Sequence, residues 1–280
     1  MARLFSTISI ETGARCNRKC WFCPNATNKR PDEFMSISMI HSIAQNLSGI
    51  DYSDRIEFYI YNEPLLDSRI LSIIETFWRT CPKACLMLAS NGDLISTSAQ
   101  ISELFEAGLN QLQINIYSGM SRFRKMEQLI KQVDCVPGDV YKKISPKARV
   151  YSLEKKFTKL ITPDSTKCGK FELSNRSGNV PALGKLEEPL SKSCVRPFRY
   201  MQINWKGDVI LCCNDYHGEV VCGNVKEQRI EDIWFHSEIL QKYRKSLLRK
   251  ERHGLKLCHP CSFKGGAYPH FLPKFWQELL

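Results

Sequence analysis

Along the first half of the chain, short apolar runs alternate with stretches whose apolar residues recur every three or four positions. Segments 4–11, 55–61, 84–89 and 112–117 read as strands, the last three as buried ones. Between them, Ile37, Ile40, Ala44 and Leu47 line one face of a helix with Ser36 as its N-cap, and Ile70, Ile73, Ile74 and Phe77 line another. A third helix over about 97–107 stops at Gly108, a residue type suited to a helix C-terminus. Such alternation predicts an α/β fold on a parallel sheet, open or closing toward a partial (β/α) barrel. Its site is then expected at the carboxyl ends of the strands.

Past Cys135 the alternation fades, and the stretch to about residue 188 is irregular, basic and broken by prolines. A different pattern starts at Ser193. Segments 200–205 and 208–211 predict a β-hairpin turning at Lys206-Gly207, and a helix over about 230–249 follows. The expected organisation is a core over 1–160, a linker and substrate-contacting segment over 161–188, and a small α+β unit over 189–280.

Composition narrows the class. A chain of 280 residues with 43% apolar content can bury a large core. No apolar run approaches the ~18 residues that span a bilayer, and the N-terminus lacks the pattern of a signal peptide. A cytoplasmic protein with no membrane partner is therefore expected. Thirteen cysteines in a reducing compartment read as metal or cluster ligands rather than disulfides. Part of the net charge of +11 is local, with Lys142, Lys143, Lys147, Arg149, Lys155, Lys156 and Lys159 crowded into 139–159. That run is either a solvated basic face or a funnel for an anionic substrate such as a phosphorylated or nucleotide-linked sugar. The interleaved aromatic and basic residues that stack bases are missing, which argues against nucleic acid.

The sharpest chemistry follows the first predicted strand, in the string Cys16-Asn17-Arg18-Lys19-Cys20-Trp21-Phe22-Cys23-Pro24. Three thiols this close cannot pair off as disulfides without leaving one over and straining short loops. They can hold three irons of a [4Fe-4S] cube and leave the fourth open to a small molecule. A zinc knuckle is the alternative, and it needs a fourth ligand near the loop, where the nearest histidine in sequence is His41. The C-x3-C-x2-C spacing with Phe22 before the last cysteine resembles the signature of the radical S-adenosylmethionine (SAM) family. That resemblance implies a cluster on Cys16, Cys20 and Cys23 that binds SAM and cleaves it to a 5'-deoxyadenosyl radical. It also implies SAM contacts from Asn62 and Glu63 after the second strand, where Asn62 departs from the family's glycine, and from Ser90, Asn91 and Asn115 at the ends of the third and fourth.

A second set, Cys194, Cys212, Cys258 and Cys261, brackets the hairpin and ends in a C-x2-C. Spacing alone also permits an all-cysteine zinc ribbon. The set resembles the twitch domain, a shortened SPASM domain, which implies a second, auxiliary [4Fe-4S] cluster; Cys213 is an alternative ligand to Cys212.

The strings CNRKCWFCPN from Cys16, EPLL from Glu63, LSNR ending at Arg176, and GNV from Gly223 followed by DIW resemble radical SAM dehydrogenases of aminoglycoside biosynthesis, over nearly the whole chain apart from an apparent insertion at about 139–168. The resemblance implies oxidation of a secondary alcohol of a sugar or aminocyclitol-like substrate to a ketone, with the auxiliary cluster taking the electron. It implies a reductant such as flavodoxin or ferredoxin, and a substrate contact from Arg176. Where the family has an acidic residue two past the auxiliary cysteine, this chain has Asn214, with Asp215 beside it. An epimerase, drawing its returning hydrogen from a thiol such as Cys213, Cys222, Cys168 or Cys135, is the nearest rival. Peptide modification is the next, weakened by the fifteen residues that precede Cys16.

Overall fold

The computed structural model describes residues 4–133, 141–145, 148–153, 156–161 and 173–265. Cys135, Cys168, the side chains of the basic 139–159 run and the aromatic tail at 268–276 lie outside the described residues.

Strand β1 (Thr7–Ile10) is buried on both faces, as a strand central to a parallel sheet must be. Helix α1 (Ile37–Gly49) starts where the Ser36 hydroxyl accepts from the Met39 amide, and it buries Ile40, Ile43, Ala44 and Leu47. Then come β2 (Arg55–Glu57), α2 (Ile70–Thr80), β3 (Cys85–Ser90), α3 (Ser98–Glu106), β4 (Gln111–Asn115) and α4 (Met120–Lys131). Thr97 and Gln100 close a reciprocal capping box on α3. Gly108 follows at φ +107, where a Cβ would lie 2.3 Å from the Trp78 ring. Strands β1 to β4 pair in parallel, in order.

Two segments depart from expectation. The stretch read as irregular contains β5 (Tyr141–Ser145), β6 (Ala148–Leu153) and β7 (Lys156–Ile161), an antiparallel meander whose last strand adds in parallel to β4. Lysines interrupt its apolar runs and gave it the look of a linker. The predicted second strand, 55–61, leaves the ladder after Glu57 because side chains capture its backbone: Asn62 Oδ1 accepts from the Ile60 amide and Glu11 Oε1 from that of Tyr61.

After the short helix α5 (Arg196–Arg199), β8 (Tyr200–Ile203) pairs in parallel with β1, then turns at Gly207 (φ +89) into β9 (Asp208–Ile210), followed by β10 (Val221–Asn224). Among the described residues, ten strands form one sheet in the order β10-β9-β8-β1-β2-β3-β4-β7-β6-β5. The helix expected over 230–249 is two, α6 (Ile230–His236) and α7 (Glu238–Leu248), since Ser237 adopts an extended conformation and its hydroxyl caps α7. Phe5, just before β1, packs edge-on against Trp234 of α6 at 5.3 Å, so both halves of the chain share one core.

Candidate active site and cluster sites

The carboxyl ends of β1 to β4 gather on one rim. Cys16, Cys20 and Cys23 follow β1 on a loop held by a tight turn, in which the Cys23 amide donates to the Cys20 carbonyl (2.9 Å), and by the turn Pro24–Ala26 beyond it. The loop after β3 clamps it. Arg18 forms a two-pronged ion pair with Asp93 (2.6 Å for each nitrogen) and donates to the Ser118 hydroxyl beyond β4. Asn91 Nδ2 donates to Asn17 Oδ1 (2.7 Å) and lies 3.9 Å from Cys16 Sγ. Phe22 packs on Tyr117 at 5.3 Å, while Trp21 beside it is 60% exposed.

Glu63 organises the rim. Almost wholly buried, it accepts from the Ser90 hydroxyl (2.8 Å), the Asn91 amide (2.8 Å) and the Leu65 amide (3.2 Å). Burial raises its pKa, and these hydrogen bonds hold the carboxylate against that pull. Glu63, Ser90 and Asn91 thus form one cluster beside Cys16. Asn62 turns back into its own loop and donates to Thr12 Oγ1 (3.4 Å), and Asn115 accepts from Gln113 (3.0 Å) at the end of β4.

The second set closes behind the first. Cys194, Cys212 and Cys261 are buried and Cys258 is half-buried. Burial, then the neighbouring charges of Cys213, Cys258 and Cys194, push the Cys212 thiol well up. Arg252 ties the set together, donating to the carbonyls of Lys192 (2.8 Å), Ser193 (3.1 Å) and Phe263 (2.9 Å), so that the chain at Cys194 is fastened to the chain after Cys261. Gly265 completes the fastening at φ +93, where a Cβ would fall 1.9 Å from the Ser193 carbonyl oxygen. Gly265→Ala is expected to loosen this closure, and loss of about half of the reconstituted iron, with SAM cleavage retained, is the result to look for.

Both groups fit iron-sulfur clusters by their donor chemistry. Burial pushes Cys16 up to about 11 and Cys258 up to about 12, so these sulfurs become thiolates only against a strong positive centre. Among the described residues no three His, Cys, Asp or Glu side chains converge on a position for a single metal ion. Among the described residues, Arg196 Nη1 and Asn214 Oδ1 are buried without a hydrogen-bond partner beside the second group. The Asn214 amide donates to Cys212 Sγ (3.4 Å) and its Nδ2 to Cys261 Sγ (3.3 Å). Asp215 is taken up in its own turn, accepting from the Glu219 (2.8 Å) and Val220 (2.9 Å) amides.

Between the two groups lie Tyr61 and Arg176. Tyr61 is buried, its hydroxyl donates to the Cys213 carbonyl, and burial pushes its pKa well up, with Arg176, Cys213, Cys212 and Cys23 close enough to act on it as well. Burial pulls the Arg176 pKa down, but Tyr61, Cys213 and Cys23 close by outweigh it and leave the guanidinium raised. Arg176 and Ser177 both occupy the left-handed region, at φ +50 and φ +59, which non-glycine residues adopt at a cost. Asn175 holds them there: its side chain donates to the carbonyls of Pro260 (2.7 Å) and Gly184 (3.0 Å) and accepts from the Ser262 amide (2.9 Å). The Cys213 thiol lies within electrostatic reach of Tyr59, Tyr61 and Arg176. Tyr61, Asp93, Arg18 and Arg252 are not singled out by the sequence; only the position of Asp93, directly after Ser90-Asn91-Gly92, could have marked one of them.

Two thiol groups, one on the rim of a parallel sheet and one beside the hairpin that extends it, define a radical SAM enzyme with an auxiliary-cluster domain. Residues 10–133 match the radical SAM superfamily and residues 194–262 match the SPASM iron-sulfur cluster-binding domain. It is 29% identical over 267 residues to the S-adenosyl-L-methionine-dependent 2-deoxy-scyllo-inosamine dehydrogenase of Niallia circulans, covering 94% of each. Its fold superposes on BtrN in complex with AdoMet and 2-DOIA with a TM-score of 0.75, at 27% identity over 94% of both chains. The fold also resembles anSMEcpe with bound AdoMet, at a TM-score of 0.55 and 16% identity over 90% of this chain and 84% of the other. The chain is thus a homologue of a radical SAM dehydrogenase, and its two domains imply SAM and two iron-sulfur clusters as cofactors.

Proposed function

We propose that this enzyme oxidises a secondary alcohol of an aminocyclitol or related polyhydroxylated ring to a ketone. The observation that carries this reading is that Tyr61, bonded to the Cys213 carbonyl, and Arg176 both lie within electrostatic reach of Cys23 in the first thiol group and of Cys213 beside the second, so that a small polar molecule held by them would face both. When bound, SAM and the two clusters supply a hydrogen-abstracting radical on one side and an electron acceptor on the other. Cys16, Cys20 and Cys23 hold the first cluster; Cys194, Cys212, Cys258 and Cys261 hold the second. Glu63, with Ser90 and Asn91 fixing its carboxylate, presents an acceptor for an ammonium group of SAM, and Phe22, Asn62 and Asn115 border the same rim. Arg176 donates to substrate hydroxyls from a turn too constrained to swing away, which orients one carbon toward the radical. Cys213, whose carbonyl accepts from the Tyr61 hydroxyl, is the thiol beside this pair. A one-electron carrier such as flavodoxin or ferredoxin supplies the reducing equivalent.

The test is anaerobic incubation with SAM, dithionite and 2-deoxy-scyllo-inosamine or inositol analogues deuterated at the carbinol carbon. Dehydrogenation gives one ketone for each deuterated 5'-deoxyadenosine. Recovery of an inverted alcohol carrying solvent hydrogen would instead establish an epimerase. Arg176→Ala is expected to lower kcat/KM for the substrate by about 10- to 100-fold, the loss of one charged hydrogen bond worth roughly 1.5–3 kcal/mol. SAM binding is expected to be unchanged, and Arg176→Lys to recover part of the loss.

A further inference from the structure

Three arginines are packed into the half of the chain that carries the second thiol group. Arg244 donates to the carbonyls of Pro197 (2.8 Å) and Trp234 (2.6 Å), and Arg252 spends its guanidinium on the carbonyls that close the site. Arg196 differs. It opens α5 two residues after Cys194, and its guanidinium lies over the Phe263 ring at 3.7 Å. Its Nη1 is buried with no hydrogen-bond partner among the described residues, and the sulfurs around it are those of Cys213, Cys212, Cys194 and Cys261. A buried N–H of a cation without an acceptor is expensive, so its acceptor should be a group that this site receives.

We infer that Arg196 donates from Nη1 to the sulfur of the auxiliary cluster and, as a fixed positive charge, sets how readily that cluster takes up an electron. Acting through the cluster, it is a positioning residue. Each electron added to a cube held by four thiolates adds one negative charge, so a cation a few ångströms away favours the reduced form. Net charge, hydrogen bonds to the sulfurs and solvent exposure are the levers on such potentials. Asn214 pulls the same way through its donors on Cys212 and Cys261, but it is neutral. Phe263 keeps the guanidinium from turning toward water and leaves its edge free to donate. The inference rests on the auxiliary cluster being the electron acceptor of the proposed reaction, but its test does not need turnover.

The experiment is a redox titration of the reconstituted full-length protein followed by electron paramagnetic resonance. The auxiliary signal is isolated in a background with alanine at Cys16, Cys20 and Cys23. Arg196→Gln is expected to move the auxiliary midpoint to more negative potential by at least a tenfold change in the reduction equilibrium, which is about 59 mV for one electron. Arg196→Lys, which keeps the charge, is expected to move it less than half as far. Arg196→Met packs on Phe263 without charge and gives the same reading should the Gln protein load iron poorly. An unmoved midpoint in Gln or Met protein at full iron content overturns the inference while leaving the dehydrogenase reading intact. A Lys protein shifted as far as the Gln protein overturns it too. Failure of the dehydrogenase reading shows separately, as absence of ketone in the assay above.

Discussion

Replacing Cys16, Cys20 and Cys23 together by alanine abolishes SAM cleavage and halves the iron, from about eight to about four per chain, with sulfide falling in step. The two expectations are linked by the geometry. These three thiols share one loop, clamped from outside by Arg18–Asp93 and by Asn91, whereas Cys194, Cys212, Cys258 and Cys261 are closed by Arg252 and Gly265. The first group can therefore be emptied without opening the second. Cleavage requires an iron with an open coordination position, and the four-thiolate group offers none, so dithionite and SAM should yield 5'-deoxyadenosine only at background. Iron and sulfide assays, with chromatographic detection of 5'-deoxyadenosine, check both parts. Zinc in place of iron in the intact protein, or undiminished cleavage by the variant, would sink the assignment of this loop.

The cysteines were legible because cluster chemistry dictates both residue type and spacing, and few other uses of thiols imitate that. The parallel order of β1 to β4 was legible for a related reason: β1 and β3 are buried on both faces, β2 and β4 keep buried apolar residues between partly exposed polar ones, and the amphipathic helices between them keep the period of their buried face. What escaped reading was set by single polar side chains. Nothing near Ser237 in sequence tells whether its hydroxyl stays solvated or caps a new helix. Asn62 and Glu11 shorten a strand by bonding amides fifty or fewer positions away. α4 did carry a signal, since Phe123, Met126 and Ile130 fall on one buried face. The thiols of the candidate site can be picked out in the sequence by type and spacing, whereas its supports cannot. Arg18, Arg196 and Arg252 are ordinary basic residues until the fold sets each against the group it serves.

Arg30→Ala is expected to destabilise the protein by about 3–5 kcal/mol, because it strands the most deeply buried carboxylate of the rim. Glu11, immediately after β1, is fully buried and accepts from both terminal nitrogens of Arg30 (2.5 and 3.0 Å) and from the Tyr61 amide (3.0 Å). Arg30 itself stacks on Trp205 (4.3 Å) and Tyr216 (4.9 Å) and donates to the Ala14 carbonyl (3.1 Å). One guanidinium thus joins the cysteine loop, the end of β1, the loop after β2 and the hairpin of the auxiliary half. Burial raises the Glu11 pKa above its ordinary 4.5, and Arg30 is the main influence opposing that rise. Without Arg30 the carboxyl rises further. A carboxyl whose pKa is higher in the folded state stabilises that state below its unfolded value and loses this as pH climbs through the folded value. The deficit of the variant should therefore be largest at pH 8 and shrink toward pH 5. Thermal melts of wild type and variant at both values check this, with a drop in Tm of roughly 10 °C expected at pH 8. Glu11→Gln added to Arg30→Ala removes the stranded charge and should recover part of the loss. A variant that melts within about 2 °C of wild type at pH 8 would show that water reaches Glu11 and that the pair does not hold the loop.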